Sequence, residues 1–262
     1  MADIHAVALN SFSTAAQTYA RGRPEYPVDI LAWLTGALGV TTDKVVVDLG
    51  AGTGKFTKLL VQTTANVIAV EPVAAMRAQL AERLAGAQAI AGTAETIPLK
   101  TASADVLVCA QAFHWFATEL AIREIHRVLR PGGRLGLVWN VRDESVDWVE
   151  AITKIIEPYE GDAPRLHKGD WRKTFSGRYF NPLQETSFAY HHVGPAQEVI
   201  LDRFLSVSFI SALPAHEKAK VAEQLRILIE SHPALHGKNL IDFPYRTKAY
   251  WCARLDEDAV PR

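Results

Sequence analysis

One turn constrains this chain more than any other stretch: Asp48-Leu49-Gly50-Ala51-Gly52-Thr53-Gly54, set directly behind the β-branched run Val45-Val46-Val47 and ahead of a helical pattern from Phe56 to Gln62. Strand, glycine turn and helix in that order form the unit from which parallel α/β sheets are assembled. Glycines at such a turn let the backbone approach a ligand closely and present amide N–H groups at a helix N-terminus. Two ligand-binding patterns that use such turns fit poorly. A dinucleotide fingerprint counted from Gly50 needs its third glycine at position 55, where Lys55 is too large for close helix–strand packing. A phosphate-binding loop ending in Gly54-Lys55 needs glycine at position 49 and Ser or Thr at 56, where Leu49 and Phe56 stand.

Further elements follow at regular spacing. Val67-Ile68-Ala69-Val70 predicts a second buried strand closing on Glu71, and Ala74 to Leu84 an Ala-rich helix ended by Gly86. Ala87 to Ala91, Asp105 to Ala110 and Arg134 to Trp139 predict three more strands, with a helix from Leu120 to Leu129 stopped by Pro131-Gly132-Gly133. Alternation at this spacing predicts an α/β fold with a doubly wound, mostly parallel sheet and helices on both faces. Periodicity weakens over residues 141–182, where scattered aromatics among Gly, Pro and charges suggest a cap over a pocket. Leu183 to Val193 alternates like a strand with one wet face, Gln197 to Leu213 and Pro214 to Ser231 read as helices, and Thr247 to Leu255 as a final strand. The expected organisation is one domain over 1–262: a lid over 1–29, a cofactor-binding half over 30–140, a cap over 141–182, and C-terminal strands and helices over 183–262.

Length and charge narrow the partners. At 262 residues the chain suits one large core. Lys and Arg number 28 against 29 Asp and Glu, so no net field draws it to nucleic acid or an anionic membrane. Cys109 and Cys252 lie far apart in strand-like runs and are expected to be buried thiols of a cytoplasmic protein. His191-His192 sit on an alternating strand with no Cys or carboxylate at ligand spacing, so no metal site is expected.

The Asp-x-Gly-x-Gly-x-Gly turn resembles, at every fixed position, that of class I S-adenosylmethionine-dependent methyltransferases of the ubiquinone/menaquinone-biosynthesis type, a resemblance covering roughly Val45 to Trp139. Phe12 to Pro27 and Phe113-His114-Trp115-Phe116 narrow it to a small-molecule branch that includes trans-aconitate methyltransferases. The resemblance implies a Rossmann-like seven-stranded sheet with an antiparallel final strand, S-adenosyl-L-methionine as cofactor and a small-molecule methyl acceptor. A carboxylic acid oxygen comes first as acceptor, sulfur or nitrogen next, with S-adenosylhomocysteine as the other product. It further implies that Asp48, Gly50, Ala51 and Gly52 contact the methionine part of the cofactor. Pro72 and Met76 would line the adenine slot, although Met76 equally suits plain helix packing. Ala94 and Glu95 would edge the same ring, and Tyr19 and Arg23 would fold over the cofactor unless they are ordinary surface residues. Glu71, 23 residues after Asp48, stands at the spacing that lets a carboxylate accept both ribose hydroxyls. Ala110 and Gln111, at the carboxyl end of the fourth strand, are placed for the cofactor's amino-acid end.

His114 and Trp115 follow that strand directly. His114 is the candidate catalytic residue, as a proton acceptor near neutral pH, or else a wall of the substrate pocket with Trp115. Asn140 and Arg142 leave the fifth strand on the same edge, where they either touch substrate or form a turn. Ala110-Gln111-Ala112-Phe113 replaces the Asp- or Asn-Pro-Pro-aromatic run of nucleic-acid amino-methyltransferases, and neither the double-glutamate loop of protein arginine methyltransferases nor the metal-binding aspartates of catechol-type enzymes is present. Two other readings stay open: a nicotinamide-dependent oxidoreductase, and a regulatory module that binds S-adenosylmethionine without turnover.

Overall fold

Strands covered by helices on both faces read as continuous apolar runs instead of alternating ones, and that is how the first strands of this sheet behave. The computed structural model describes residues 22–63, 65–162 and 164–256. Strands β1 (Val45–Leu49), β2 (Asn66–Val70), β3 (Ala87–Ile90), β4 (Ala104–Ala110) and β5 (Leu129–Arg142) pair in parallel. β7 (Ile241–Ala253) runs antiparallel to β5, and β6 (Gln184–Gly194) antiparallel to β7. The order β3-β2-β1-β4-β5-β7-β6 is the seven-stranded, mostly parallel Rossmann-like sheet that was predicted. It reverses direction between β1 and β4, where open α/β sheets form their ligand crevice at the carboxyl ends of the strands.

Two cores flank the sheet. On one face Ile30 and Leu34 of α1 (Asp29–Gly36) and Leu60 of α2 (Thr57–Gln62) pack against Val46, Val106, Val108 and Val138. On the other, Ile122 and Ile125 of α4 (Glu119–Val128) pack against Val47, Leu107, Leu135 and Leu137, each such side chain contributing about 2 kcal/mol by leaving water. Between these in chain order lies α3 (Ala74–Arg83), which buries Met76 and Leu80. Thr118 fixes the start of α4, its hydroxyl accepting from the Ala121 N–H at 3.1 Å.

A third core joins α5 (Asp147–Ile156), α6 (Ala215–Ser231), Phe204, and Phe243 and Tyr245 of β7. The stretch predicted as one helix from Gln197 to Leu213 is instead a π-helical turn Gln197–Asp202 followed by short helical turns Arg203–Leu205 and Ser208–Ser211. Val207 breaks it with an extended backbone, ψ 135°. β7 begins six residues before the predicted Thr247, because Ile241, Phe243 and Tyr245 keep the inward alternation through Pro244.

Candidate functional site

The turn after β1 is built on backbone that only glycine adopts easily. Gly50 has φ +74° and a side chain there would meet the Ala112 Cβ at 2.8 Å. Gly52, φ +57°, donates its N–H to Glu71 Oε2 at 2.8 Å, while the Val73 N–H donates to Glu71 Oε1 at 2.8 Å. Each oxygen of this buried carboxylate keeps a lone-pair site for a further donor. Burial raises the Glu71 pKa, against the opposing pull of those two N–H bonds.

Asp48 is fully buried. Its Oδ2 accepts from the Thr57 hydroxyl at 2.6 Å, whereas Oδ1 has no hydrogen-bond partner among the described residues. Burial pushes its pKa up to about 7, opposed by the Thr57 bond and reinforced by the charge of Glu71. An orphaned buried carboxylate oxygen beside a glycine cradle is the feature expected of a site that receives a donor-bearing cation.

A cavity of about 170 Å³ opens here. The structure brings to it Arg23, Asp48, Gly50, Ala51, Gly52, Glu71, Pro72, Met76, Ala94, Glu95, Ala110 and Gln111, every candidate cofactor residue except Tyr19, which lies outside the described residues. Gln111 takes a left-handed backbone, φ +58°, uncommon for a residue with a side chain and typical of strained positions at sites. Its N–H donates to the Val138 carbonyl at 2.8 Å and its side-chain amide to the Asn140 carbonyl at 3.4 Å.

A second, larger cavity of about 340 Å³ adjoins the first, and Arg23, Gln111, Trp115 and Arg203 line both. His114 faces it from a 3-10 turn, Phe113–Trp115. The Trp139 indole N–H donates to His114 Nδ1 at 3.0 Å. An indole can only donate, so Nδ1 is the acceptor and the imidazole proton sits on Nε2. Burial, with the charges of Arg165 and Arg23, pulls the His114 pKa down to about 3. The expected proton-acceptor role is therefore corrected: this ring is neutral, its acceptor nitrogen is occupied, and what it offers is an N–H donor.

Asn140 lines the second cavity, yet its amide is committed elsewhere. Its Nδ2 donates to the Glu25 carbonyl at 2.7 Å and its Oδ1 accepts from the Thr247 hydroxyl at 2.6 Å. It holds down a strap formed by residues 22–27. Lys55 holds the same strap, donating to the Arg23 carbonyl at 2.8 Å and to Glu25 Oε1 at 2.9 Å, while the Tyr26 ring meets Phe56 edge-on at 5.0 Å. The lysine that spoils a dinucleotide fingerprint is thus an anchor. Gly22 fits against the backbone of Arg203, where a side chain would come within 2.6 Å of the Arg203 nitrogen. Arg165 and Arg203 were missed by sequence reasoning, since neither belongs to a motif.

Among the described residues no group of three or more His, Cys, Asp or Glu side chains is placed to hold a metal, and no helix is long and apolar enough to cross a membrane.

Residues 47–137 match the family described as Methyltransferase domain. An uncharacterized methyltransferase-like protein of Schizosaccharomyces pombe is 37% identical over 245 residues, covering 92% of this chain and 94% of the relative. An uncharacterized methyltransferase of Mycobacterium tuberculosis is 39% identical over 237 residues, covering 90% and 93%. Among solved structures, the YcgJ protein of Bacillus subtilis has the same fold, with a TM-score of 0.54 at 19% identity over 86% of this chain and 98% of that one.

Proposed function

The chain belongs to the class I S-adenosylmethionine-dependent methyltransferases, and from that premise we propose that it methylates a carboxylate oxygen of a small molecule, as enzymes of the trans-aconitate kind do. The observation that carries the choice of acceptor is the hydrogen bond that the Trp139 indole N–H donates to His114 Nδ1 at 3.0 Å.

The residues of the first cavity fit S-adenosylmethionine. Glu71 has one acceptor site left on each oxygen for a ribose diol. Pro72, Met76, Ala94 and Glu95 would enclose the adenine, and Gly50, Ala51, Gly52, Ala110 and Gln111 the amino-acid end, with the Asp48 carboxylate facing its positive charge and Arg23 closing over it from the strap. Bound there, the cofactor supplies an electrophilic methyl carbon: an acceptor lone pair forms the new O–C bond as the C–S bond breaks, and the electron pair stays on sulfur.

An alcohol, phenol or ammonium acceptor must lose a proton to complete that exchange, whereas a carboxylate loses none. His114 suits the carboxylate, because its Nε2–H can hold one oxygen while the other attacks. Glu144 and Glu160, two of the three glutamates that line the second cavity, are engaged by Arg142 at 3.3 Å and Arg165 at 3.7 Å. Trp115 walls the junction and Trp139 the second cavity, apolar surfaces that would keep water from competing with the acceptor.

The test is methyl transfer from radiolabelled S-adenosylmethionine to matched acids, alcohols and amines, after calorimetric titration with S-adenosylmethionine, S-adenosylhomocysteine and NADH. Micromolar binding of the first two and a product that mild alkali hydrolyses to methanol would support the reading. Alkali-stable products, or label carried only by amines, would overturn the carboxylate assignment.

A further inference from the structure

Residues 91–103 cross from β3 to β4 without a helix or strand, and Ala94 and Glu95, which line the first cavity, lie on that crossing. A loop has no ladder to fix its path, and one that meets a flat base to within about 0.5 Å needs a second layer of support. Within the loop the Thr96 N–H reaches the Thr93 carbonyl at a long 3.3 Å.

The stronger hold comes from α4. Glu124 and Arg127, neighbours on that helix, form a two-pronged ion pair, Nε to Oε2 at 2.8 Å and Nη2 to Oε1 at 2.7 Å. The pair takes both peptide groups of Ile97: Glu124 Oε1 accepts the N–H at 3.0 Å, and Arg127 Nη2 donates to the carbonyl at 3.1 Å. Arg127 Nη1 also donates to the Leu99 carbonyl at 2.9 Å and to the Thr101 hydroxyl at 3.2 Å. The Arg127 bond, with the Ile97 N–H and against burial, holds the Glu124 carboxyl below its ordinary range, so both its oxygens remain acceptors.

Packing passes this hold to the cavity. Gly92 has no room for a side chain, because a Cβ there would come within 2.5 Å of Pro98 Cδ and 2.9 Å of Val70 Cγ1. The outgoing limb of the loop thus lies directly against the limb that leads to Ala94 and Glu95. Neither Glu124 nor Arg127 lines the cofactor cavity, and their side chains are 17% and 32% exposed, so as an ion pair alone they contribute little to stability. What the fork supplies is direction: a planar donor and a planar acceptor, each locked by the other, offered to one residue as a neighbouring strand would offer them.

We propose that Glu124 and Arg127 are positioning residues for cofactor selection: through Ile97 and Leu99 they set the loop that carries Ala94 and Glu95, and so fix how strictly adenine is preferred over other purines. This rests on the placement of the adenine between Pro72 and Met76 on one side and Ala94 and Glu95 on the other. Glu71, for the ribose, has separate support, since Arg77 of α3 donates to the Glu71 and Pro72 carbonyls at 2.7 and 3.2 Å. Loosening the loop therefore costs base selection and spares the rest of the cofactor.

The test is calorimetry on the full chain with S-adenosylhomocysteine and S-inosylhomocysteine, which share ribose and amino acid and differ in the base. Adenine offers an amino donor beside a ring acceptor and hypoxanthine the reverse pair, so a loop matched to one leaves polar groups unpaired against the other. The wild type should bind the adenosyl ligand about tenfold or more tightly. Arg127→Met should cut that ratio to about threefold or less by weakening S-adenosylhomocysteine, with S-inosylhomocysteine changed by less than about twofold. Arg127→Lys, which can still reach one carbonyl, should recover part of the ratio. Glu124→Gln, which keeps an acceptor for the Ile97 N–H and loses the ion pair, should lower the ratio by about threefold, and decides the matter alone if Arg127→Met does not fold. An unchanged ratio in the variants, or equal weakening of both ligands, would overturn the positioning role and leave a plain structural brace. A wild type indifferent to the base would instead sink the placement of adenine at this loop, and the positioning role with it.

Discussion

In the ligand-free protein Asp48 releases its proton at a higher pH than it would in the unfolded chain. Its folded pKa of about 7 lies above the ordinary 3.8, so stability is greatest below the lower value, declines as pH climbs between the two, and levels off above about 7. Asp48→Asn removes that slope while keeping an oxygen for the Thr57 hydroxyl. The variant should gain stability relative to wild type on going from about pH 5 to about pH 8, by about 2 to 3 kcal/mol, as urea unfolding of the ligand-free protein would measure. An unchanged difference between the two proteins across that range would show that Asp48 is already ionised. His114 leads to the opposite expectation. With its pKa near 3 and Nδ1 engaged, it contributes no ionisation near neutrality. At saturating cofactor, kcat should show no acidic limb from about pH 6 to 9. His114→Gln, which keeps an N–H donor, should lose less than about tenfold in kcat, and His114→Phe about a hundredfold. An acidic limb present in wild type and absent from the Gln variant would restore the general base.

Elements differ in how openly they announce themselves. β1, β2 and β4 are mainly apolar runs with no polar alternation, and the glycine turn between β1 and α2 has fixed positions, so strand type, turn and ligand edge were all legible. β7 extends beyond the predicted start through Pro244, a residue with no N–H to give, because the inward residues alternate through it. Arg203 was illegible for a different reason. An arginine in an apparently continuous amphipathic helix is read as a solvated side chain, and nothing local announces the turn at Val207 or the Gly22 backbone pressed against position 203. The strap was half legible: its Arg23 stood out, its anchor did not. Lys55, at the end of the glycine turn, holds the strap through two bonds, so Lys55→Met should loosen the strap without harming the core. S-adenosylmethionine should bind about three- to tenfold more weakly, mainly through faster dissociation, with Tm within about 2 °C of wild type. Stopped-flow release would measure it, and an unchanged dissociation rate would mean that the strap does not gate the cofactor.

At the scale of the whole molecule, a net charge of −1 rules out long-range attraction, so charge selection must happen inside the two joined cavities. The arginines of the second cavity create a positive potential next to a first cavity that must hold a sulfonium cation. The two ligands therefore cannot bind independently. An acceptor carboxylate bound there would offset part of that potential and reduce repulsion of the cofactor, an effect that S-adenosylhomocysteine, lacking the sulfonium charge, should feel less. Glutarate should tighten S-adenosylmethionine binding by about fivefold or more, and S-adenosylhomocysteine binding by a smaller factor. The same factors should appear when glutarate is titrated against each complex, since binding linkage is reciprocal. Trp115 lies at the junction, so tryptophan fluorescence in the first turnover can report both. Methyl transfer cancels the sulfonium and one carboxylate together, which removes the attraction that assembled the complex and favours release of both products. Equal factors for the two cofactor forms would mean that the cavities are coupled by shape alone, with the arginines taking no part.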